Sequence, residues 1–304
     1  MARSRQEISA EREREQEQSL ARVEQGGIPV SAERRLRESS EQGGAFSSDL
    51  SIAGWALAHR LGLRPLSQVM GSSIYQIGYQ MQAWPMTMGG NVLSELSTLS
   101  EAWNEVRRLA LNRLELEARH AGADAVIGVQ VRTGAHDWAQ GSIEYVLTGT
   151  AVRRREGQRA QEPVLTELSV ADYSNLLSAG IRPLGIVAWT SVFYAAYGAF
   201  WPAQAGGFGG VGAMGNFELP EFTAAVYSAR EQVMGRLGVQ AQRLGASGIV
   251  GVRIGHTVRR QDTGGAGAQQ RGGVVVTFDA IGTAVADTPT AQPQPPKITI
   301  DLST

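Results

Sequence analysis

The stretch "GADAVIGVQV" at 122–131 returns as "GASGIVGVRI" at 245–254, with its glycines in register. The repetition extends well beyond ten residues. "LSIAGWALAHRLGLRPLSQVMGSSIY" at 50–75 aligns without a gap on "LSVADYSNLLSAGIRPLGIVAWTSVF" at 168–193. "AWNEVRRLALNRLELEARHAGADAVIGVQV" matches "AVYSAREQVMGRLGVQAQRLGASGIVGVRI", and "GTAV" recurs at 149–152 and 282–285. The offset is 118 residues at Pro65 and Pro183, 123 at Gly122 and Gly245, and 133 at Gly149 and Gly282, so the copies differ by insertions in two loops. A chain that repeats one unit at this length folds as two copies of one domain.

Periodicity gives the order of elements in each copy. A short helix comes first, with Ser51 or Ser169 as N-cap, and Asp172 completes a capping box with Ser169. A strand follows each Arg-Pro pair, in "RPLSQVMG" and "RPLGIVAW". Next comes a long helix. In the second copy Phe222, Val226, Ala229, Val233, Leu237, Ala241 and Leu244 recur at helical spacing as one apolar stripe. Pro220 suits the first turn, and Gly122 and Gly245 end the two helices in the left-handed conformation. Two strands complete the unit. Alternation in the last one puts Ile143, Tyr145 and Leu147 on one face, and Val276, Phe278 and Ala280 at the matching places. Gly128 and Gly251, inside strands, are expected to omit a side chain where another backbone or helix approaches. Together with Gly122 and Gly245 they form a structural joint from helix to strand. The predicted class is α+β: two fused β-α-β-β domains, each an antiparallel sheet with a long helix on one face.

The expected organisation is a charged, partly helical or disordered leader over 1–45, a first domain over 46–158, a second over 159–287, and a Pro-rich tail over 288–304. The leader reads as solvated arms, or as a docking helix offering Leu20, Val23, Val30 and Leu36 to a protein partner. Its arginines are followed by no apolar run, so it is not read as a secretory signal, and a cytoplasmic location is expected. In the tail, Ile298, Ile300 and Leu302 alternate as in a strand that adds to an exposed sheet edge. A formal net charge of −1 supplies no long-range attraction to nucleic acid, and none is expected as partner. The absence of cysteine removes disulfides, thiolate metal sites and cysteine nucleophiles together.

A long amphipathic helix running into "RHAGADAVIGVQV" or "QRLGASGIVGVRI", followed by a strand ending in "GTAV" and preceded by "RPLGIV", resembles the YbjQ-like heavy-metal-binding family. The resemblance covers about 60–153 and 178–286. It implies a dodecin-like β-α-β-β subunit that assembles as a homopentamer, hence a ring-forming fold. Members of the family open on a threonine-rich strand, whereas both copies here open on a helical "LS" segment and carry expanded loops after the first strand.

The residues themselves offer little catalysis. His59, His120, His136 and His256 occupy no equivalent places in the two copies. Glu117 and His120 stand three apart on one helical face, a spacing for two metal ligands, and are the weak metal candidates in a chain expected to carry no metal and no cofactor. "GFGGVG" at 207–212 fits G-x-G-x-x-G but lacks the strand before it and the helix opening on it. No nucleophile elbow, His-Glu-x-x-His or duplicated acid pair is present, and no enzyme is expected. The feature that stands out is the absence of charge from Pro65 to Ser94 and from Pro183 to Phe217. Arg64, Tyr75, Tyr79, Trp84, Arg182, Trp189, Phe193, Tyr194, Tyr197 and Trp201 are the candidate interface or ligand-loop residues, because such segments favour subunit contacts. The expected function is a non-enzymatic homo-oligomeric scaffold or binding protein. The alternatives are a metal or small-ligand binder with sites between subunits, and a membrane-associated assembly inserting the aromatic loops, the latter disfavoured by the serines and glutamines of the first segment.

Overall fold

The computed structural model describes residues 5–41, 47–77, 93–134, 141–155, 159–196, 218–262 and 272–287. In chain order these form α1 (Arg5–Glu24), α2 (Val30–Glu41), α3 (Ile52–Arg60), β1 (Leu63–Gln76), β2 (Leu93–Glu95), α4 (Ser97–His120), β3 (Ala125–Gly134) and β4 (Ser142–Arg154). They continue with β5 (Val164–Leu165), α5 (Val170–Ser178), β6 (Ile181–Ala196), α6 (Pro220–Arg243), β7 (Gly248–Asp262) and β8 (Gly272–Asp287). Two α+β units result, each a three-stranded antiparallel core with its long helix on one face. The sheet orders are β1-β4-β3-β5 and β2-β6-β8-β7.

The helix stripes explain how each unit closes. On α4 the side chains of Ala102, Val106, Ala110, Leu114 and Ala118 are buried, and on α6 Ala225, Ala229, Val233, Leu237 and Ala241 take the same places. The four-residue spacing keeps them on one face, and the alanines let each helix lie low on its sheet. Opposite them sit Ile143, Tyr145 and Leu147 in one unit and Val276, Phe278 and Ala280 in the other, all buried. Burial of a valine or leucine here contributes on the order of 2 kcal/mol. Leu244 departs from the expected stripe. It is the C-cap residue just after the last turn of α6, its backbone still in the right-handed α region, and it is half exposed.

The caps follow the sequence reading. The Ser51 and Ser169 hydroxyls accept from the backbone N–H groups of Gly54 and Asp172. Ser169 also donates to the Asp172 carboxylate at 2.7 Å, a side-chain closure of the cap. Gly122 and Gly245 end the long helices at φ of 68° and 69°. Gly128 corrects the expectation of close approach. Among the described residues no atom lies within 4 Å of the Cβ it lacks. Its φ of 69°, and the 66° of Gly251, place both in a β-bulge where the ladder slips, from Ile127 to Gln130 and from Val250 to Arg253. Backbone conformation requires both glycines, and at Gly251 the expected close approach is also present, with Glu167 Oε1 and Leu168 Cδ2 3.2 Å from the missing Cβ.

Two short strands are additions to the expected unit, and one makes its sheet mixed: β5 pairs parallel with β3, while β2 pairs antiparallel with β6. The leader is also more ordered than solvated arms. Ile28 and Leu36 are buried in the first unit's core. Arg113 of α4 donates to the carbonyls of Val23 and Gly27, fastening the turn between α1 and α2. Arg34 and Glu15 pair across this helical hairpin at 2.9 Å. Leu20 stays largely exposed. None of the described helices is long and apolar enough to cross a membrane.

Candidate functional site

The most elaborate polar site among the described residues lies where the first copy meets the second. Strand β2 extends the second unit's sheet, with Leu93, Ser94 and Glu95 opposite Ala195, Tyr194 and Phe193 of β6. Leu96 N–H then donates to the Val192 carbonyl at 2.8 Å, and the Ser100 hydroxyl accepts the Val192 N–H at 2.9 Å. One turn on, the Asn104 amide takes both backbone groups of Thr190: its Oδ1 accepts the N–H at 3.1 Å and its Nδ2 donates to the carbonyl at 2.8 Å. The start of α4 thus satisfies β6 as another strand would.

Arg107, almost wholly buried, completes this contact. Its Nε donates to the Tyr145 hydroxyl at 3.2 Å, its Nη1 to Asn104 Oδ1 at 2.6 Å and its Nη2 to the Thr190 hydroxyl. The guanidinium also stands over the Tyr145 ring, 5.5 Å from its centre. Burial pushes the Tyr145 hydroxyl up, with Arg107 opposing. Partial desolvation raises the carboxyl of Asp279, an exposed residue of β8, while Arg107 and His256 pull it back.

A second set of bonds runs in the opposite direction. The segment after β5, which opens the second copy, lies along the edge of β3. Thr166 N–H donates to Val126, Val129 N–H donates to Thr166, and Gly128 N–H donates to Leu168, all at 2.9–3.0 Å. Its side chains return to the second unit, with the Thr166 and Thr283 hydroxyls 3.0 Å apart. The first copy repeats that contact as Ser48 and Thr150 at 3.1 Å. Glu167 is buried against Arg253, whose Nη2 donates to Glu167 Oε2 at 3.1 Å and to the Val129 carbonyl at 3.2 Å. Glu167 Oε1 has no hydrogen-bond partner among the described residues. Burial, partly opposed by Arg253, raises the Glu167 carboxyl to about 7.

Beside these contacts a groove of ≈ 790 Å³ opens between α4 and the second unit, lined among others by Tyr75, Asn104, Arg108, Ile186, Trp189 and Gln240. Gln240 holds both backbone groups of Ala188, at 3.1 and 3.0 Å. Arg236 stacks over Trp189 at 5.2 Å, and the buried Trp189 Nε1 has no hydrogen-bond partner among the described residues.

The sequence-predicted residues divide into three groups. Trp189, Phe193 and Tyr194 sit on β6 at the junction, where β2 of the same chain covers the last two. Tyr75 lines the groove, whereas Arg64 and Arg182 are exposed at the strand starts. Tyr79, Trp84, Tyr197 and Trp201 lie outside the described residues, as do His136 and "GFGGVG". Glu117 and His120 are each engaged by other partners. Glu117 is buried, accepting from Met70 N–H at 2.9 Å and pairing with Arg35 at 3.1 Å. Burial raises its carboxyl, with Met70 and Arg35 opposing. His120 faces Glu33, 3.9 Å away. Among the described residues no group of three or more His, Cys, Asp or Glu is placed to hold a metal ion. Sequence reasoning missed Ser100, Asn104 and Arg107. The available signal was a run of polar side chains at 100, 104 and 107, one helical face beside the apolar stripe.

The family model described as "Putative heavy-metal-binding" (YbjQ) matches residues 66–155 and 210–288, once in each copy. A curated relative from Mycobacterium tuberculosis, an encapsulin nanocompartment protein, is 34% identical over 236 residues, covering 74% of this chain and 82% of its own length. A UPF0145 protein of Clostridium novyi is 38% identical over 93 residues, 30% of this chain and 85% of the relative. One from Thermus thermophilus is 34% identical over 105 residues, 34% of this chain and 83% of the relative. The single-copy relatives thus correspond to one unit, and the mycobacterial protein spans most of both. No solved structure matches.

Proposed function

Since the chain belongs to the YbjQ family and carries that family's domain twice, we propose that it is a non-enzymatic, homo-oligomeric scaffold that works as a component of an encapsulin nanocompartment. The observation that carries this reading is the match along most of both chains to a protein described as an encapsulin nanocompartment protein. The site chemistry supports it. The junction's polar groups are spent on joining sheets: Arg107, Asn104 and Ser100 each bind backbone or hydroxyl groups of the other copy. On this reading the chain acts in the cytoplasm and the uncharged segments after β1 and β6 contribute to subunit contacts. Domain limits near 46–158 and 159–287 belong to the same proposal, qualified by β2 and β5, which cross between the units.

The test is co-expression with the encapsulin shell protein of the same host, followed by density-gradient sedimentation and electron microscopy. The chain is expected in the fractions that hold the shells. Its recovery only at the top of the gradient, with shells formed normally, would contradict the proposal.

A further inference from the structure

Each half of the internal junction exists a second time in the chain, at its two ends. The surface of β6 that receives α4 has a counterpart on β1, and the segment of α4 that docks there has a counterpart at the start of α6. Equivalent residues differ sharply in exposure. Val192 is 1% exposed and its counterpart Ile74 52%; Ala188 is 7% exposed and Met70 46%. On the helices, Arg107 is 4% exposed while Arg230 is open to solvent, and Tyr227, which replaces Asn104, is 61% exposed. The chemistry of the contact is retained: Leu96 recurs as Leu219, the Ser100 hydroxyl as Thr223, and Arg107 as Arg230. The bulge of β3 that receives the Leu168 carbonyl at Gly128 recurs on β7 at Gly251, with φ of 66° against 69°. Both β1 and β7 are terminal strands of their sheets.

We propose that a second copy of this chain docks head to tail, the start of α6 of one chain lying on the β1 edge of the next as α4 lies on β6. Leu219 N–H then donates to the Ile74 carbonyl of the next chain. The Thr223 hydroxyl accepts the Ile74 N–H while keeping its 2.9 Å donation to Glu218. Tyr227 covers Met70 and Ile74, so the outer contact is more apolar than the inner one, where Asn104 stands. On the other side, Gly251 N–H of the first chain donates to Leu50 of the incoming chain, as Gly128 donates to Leu168. The leader occupies only part of this edge: α2 packs against β1, Arg35 reaches Glu117, and Arg113 links the leader to the Ser72 carbonyl, while Ile74 and Tyr75 stay exposed. Such a contact is heterologous, closing into a ring or extending as a filament, and each chain adds two units, so an assembly of intact chains holds an even number. The inference rests on the oligomeric reading above and specifies its interface.

The test uses the full chain with Ile74→Glu or Tyr227→Glu, both at exposed positions, and reads native mass. Each variant alone is expected at the single-chain mass of 32.5 kDa. An equimolar mixture is expected to give a species of twice that mass, because the intact tail of one variant fits the intact head of the other. A variant that keeps the wild-type mass, or a mixture that stays at single-chain mass, overturns the head-to-tail contact while a large wild-type assembly leaves the oligomeric reading standing. A single-chain wild type overturns both. Independently of variant stability, the chain carrying both Ile74→Cys and Thr223→Cys has no other cysteine. Oxidation of the assembled protein is expected to give a ladder of covalent multimers on a non-reducing gel. Single-chain bands alone contradict the contact.

Discussion

Replacing Arg107 with Ala tests whether the junction is a bonded interface or an incidental contact. The side chain is 4% exposed and donates to three acceptors, two of them hydroxyls that are themselves buried, on Tyr145 and Thr190. Asn104 keeps its bonds to the backbone of Thr190 and Ser100 and loses only one. Each buried hydroxyl left without its partner costs about 1–3 kcal/mol. The aliphatic stem adds about 1–2 kcal/mol of lost burial, while relief from holding a buried cation returns part of the total. The net expectation is a loss of about 3–5 kcal/mol, read as the change in unfolding free energy from urea titrations followed by far-UV circular dichroism at fixed protein concentration. Arg107→Met retains the stem and is expected to lose less. Arg108→Ala, which removes a surface pair with Glu105, is expected to lose under about 0.5 kcal/mol. A loss below about 1 kcal/mol for Arg107→Ala would refute the assignment of these bonds to the cohesion of the two copies.

Glu167 titrates from 4.5 in the unfolded chain to about 7 in the fold, so the folded state holds the extra proton between those values and stability falls as pH rises through that window. At ~1.4 kcal/mol per pH unit the effect is about 3 kcal/mol at most, and Glu167→Gln should flatten the pH dependence of urea midpoints between pH 5 and about 8. An unchanged slope would contradict the burial of that carboxyl. Gly71→Ala places a methyl 1.9 Å from the Ala110 carbonyl oxygen and is expected to cost more than about 3 kcal/mol or prevent folding. Gly128→Ala, which meets no atom but needs φ of 69°, should cost only about 1–2 kcal/mol; reversal of that order in thermal melts would refute the two explanations. Elemental analysis of untagged, dialysed protein is expected to find well under one zinc, copper or nickel per chain. Stoichiometric metal that is lost on Glu117→Gln would overturn the structural role given to that carboxylate.

The duplicated unit could be read from sequence because its signals are long: the helix stripes run from Ala102 to Ala118 and from Ala225 to Ala241, and the glycine-marked joints recur in register. The helices end at Gly122 and Gly245 as expected because positive φ leaves few alternatives. What escaped is short or conditional. Strands β2 and β5 hold three and two residues, too few to show a period of two, and both exist only because the other copy offers an edge. Arg107 carries a charge, which sequence patterning assigns to solvent; its burial follows from Tyr145 and Thr190, distant in the chain and close in space. Ile28 and Leu36 sit in a segment too polar to form a core of its own, yet two apolar side chains suffice when α4 and β1 already provide one. The bulge at Gly128 could be located from the sequence, but its cause could not, since a glycine reports permissiveness without saying whether space or φ requires it.

Native mass spectrometry of the untagged full-length chain at micromolar concentration tests the central claim most directly. The account predicts a discrete assembly whose mass is a whole multiple, greater than one, of 32.5 kDa, and a species at 32.5 kDa alone would contradict it.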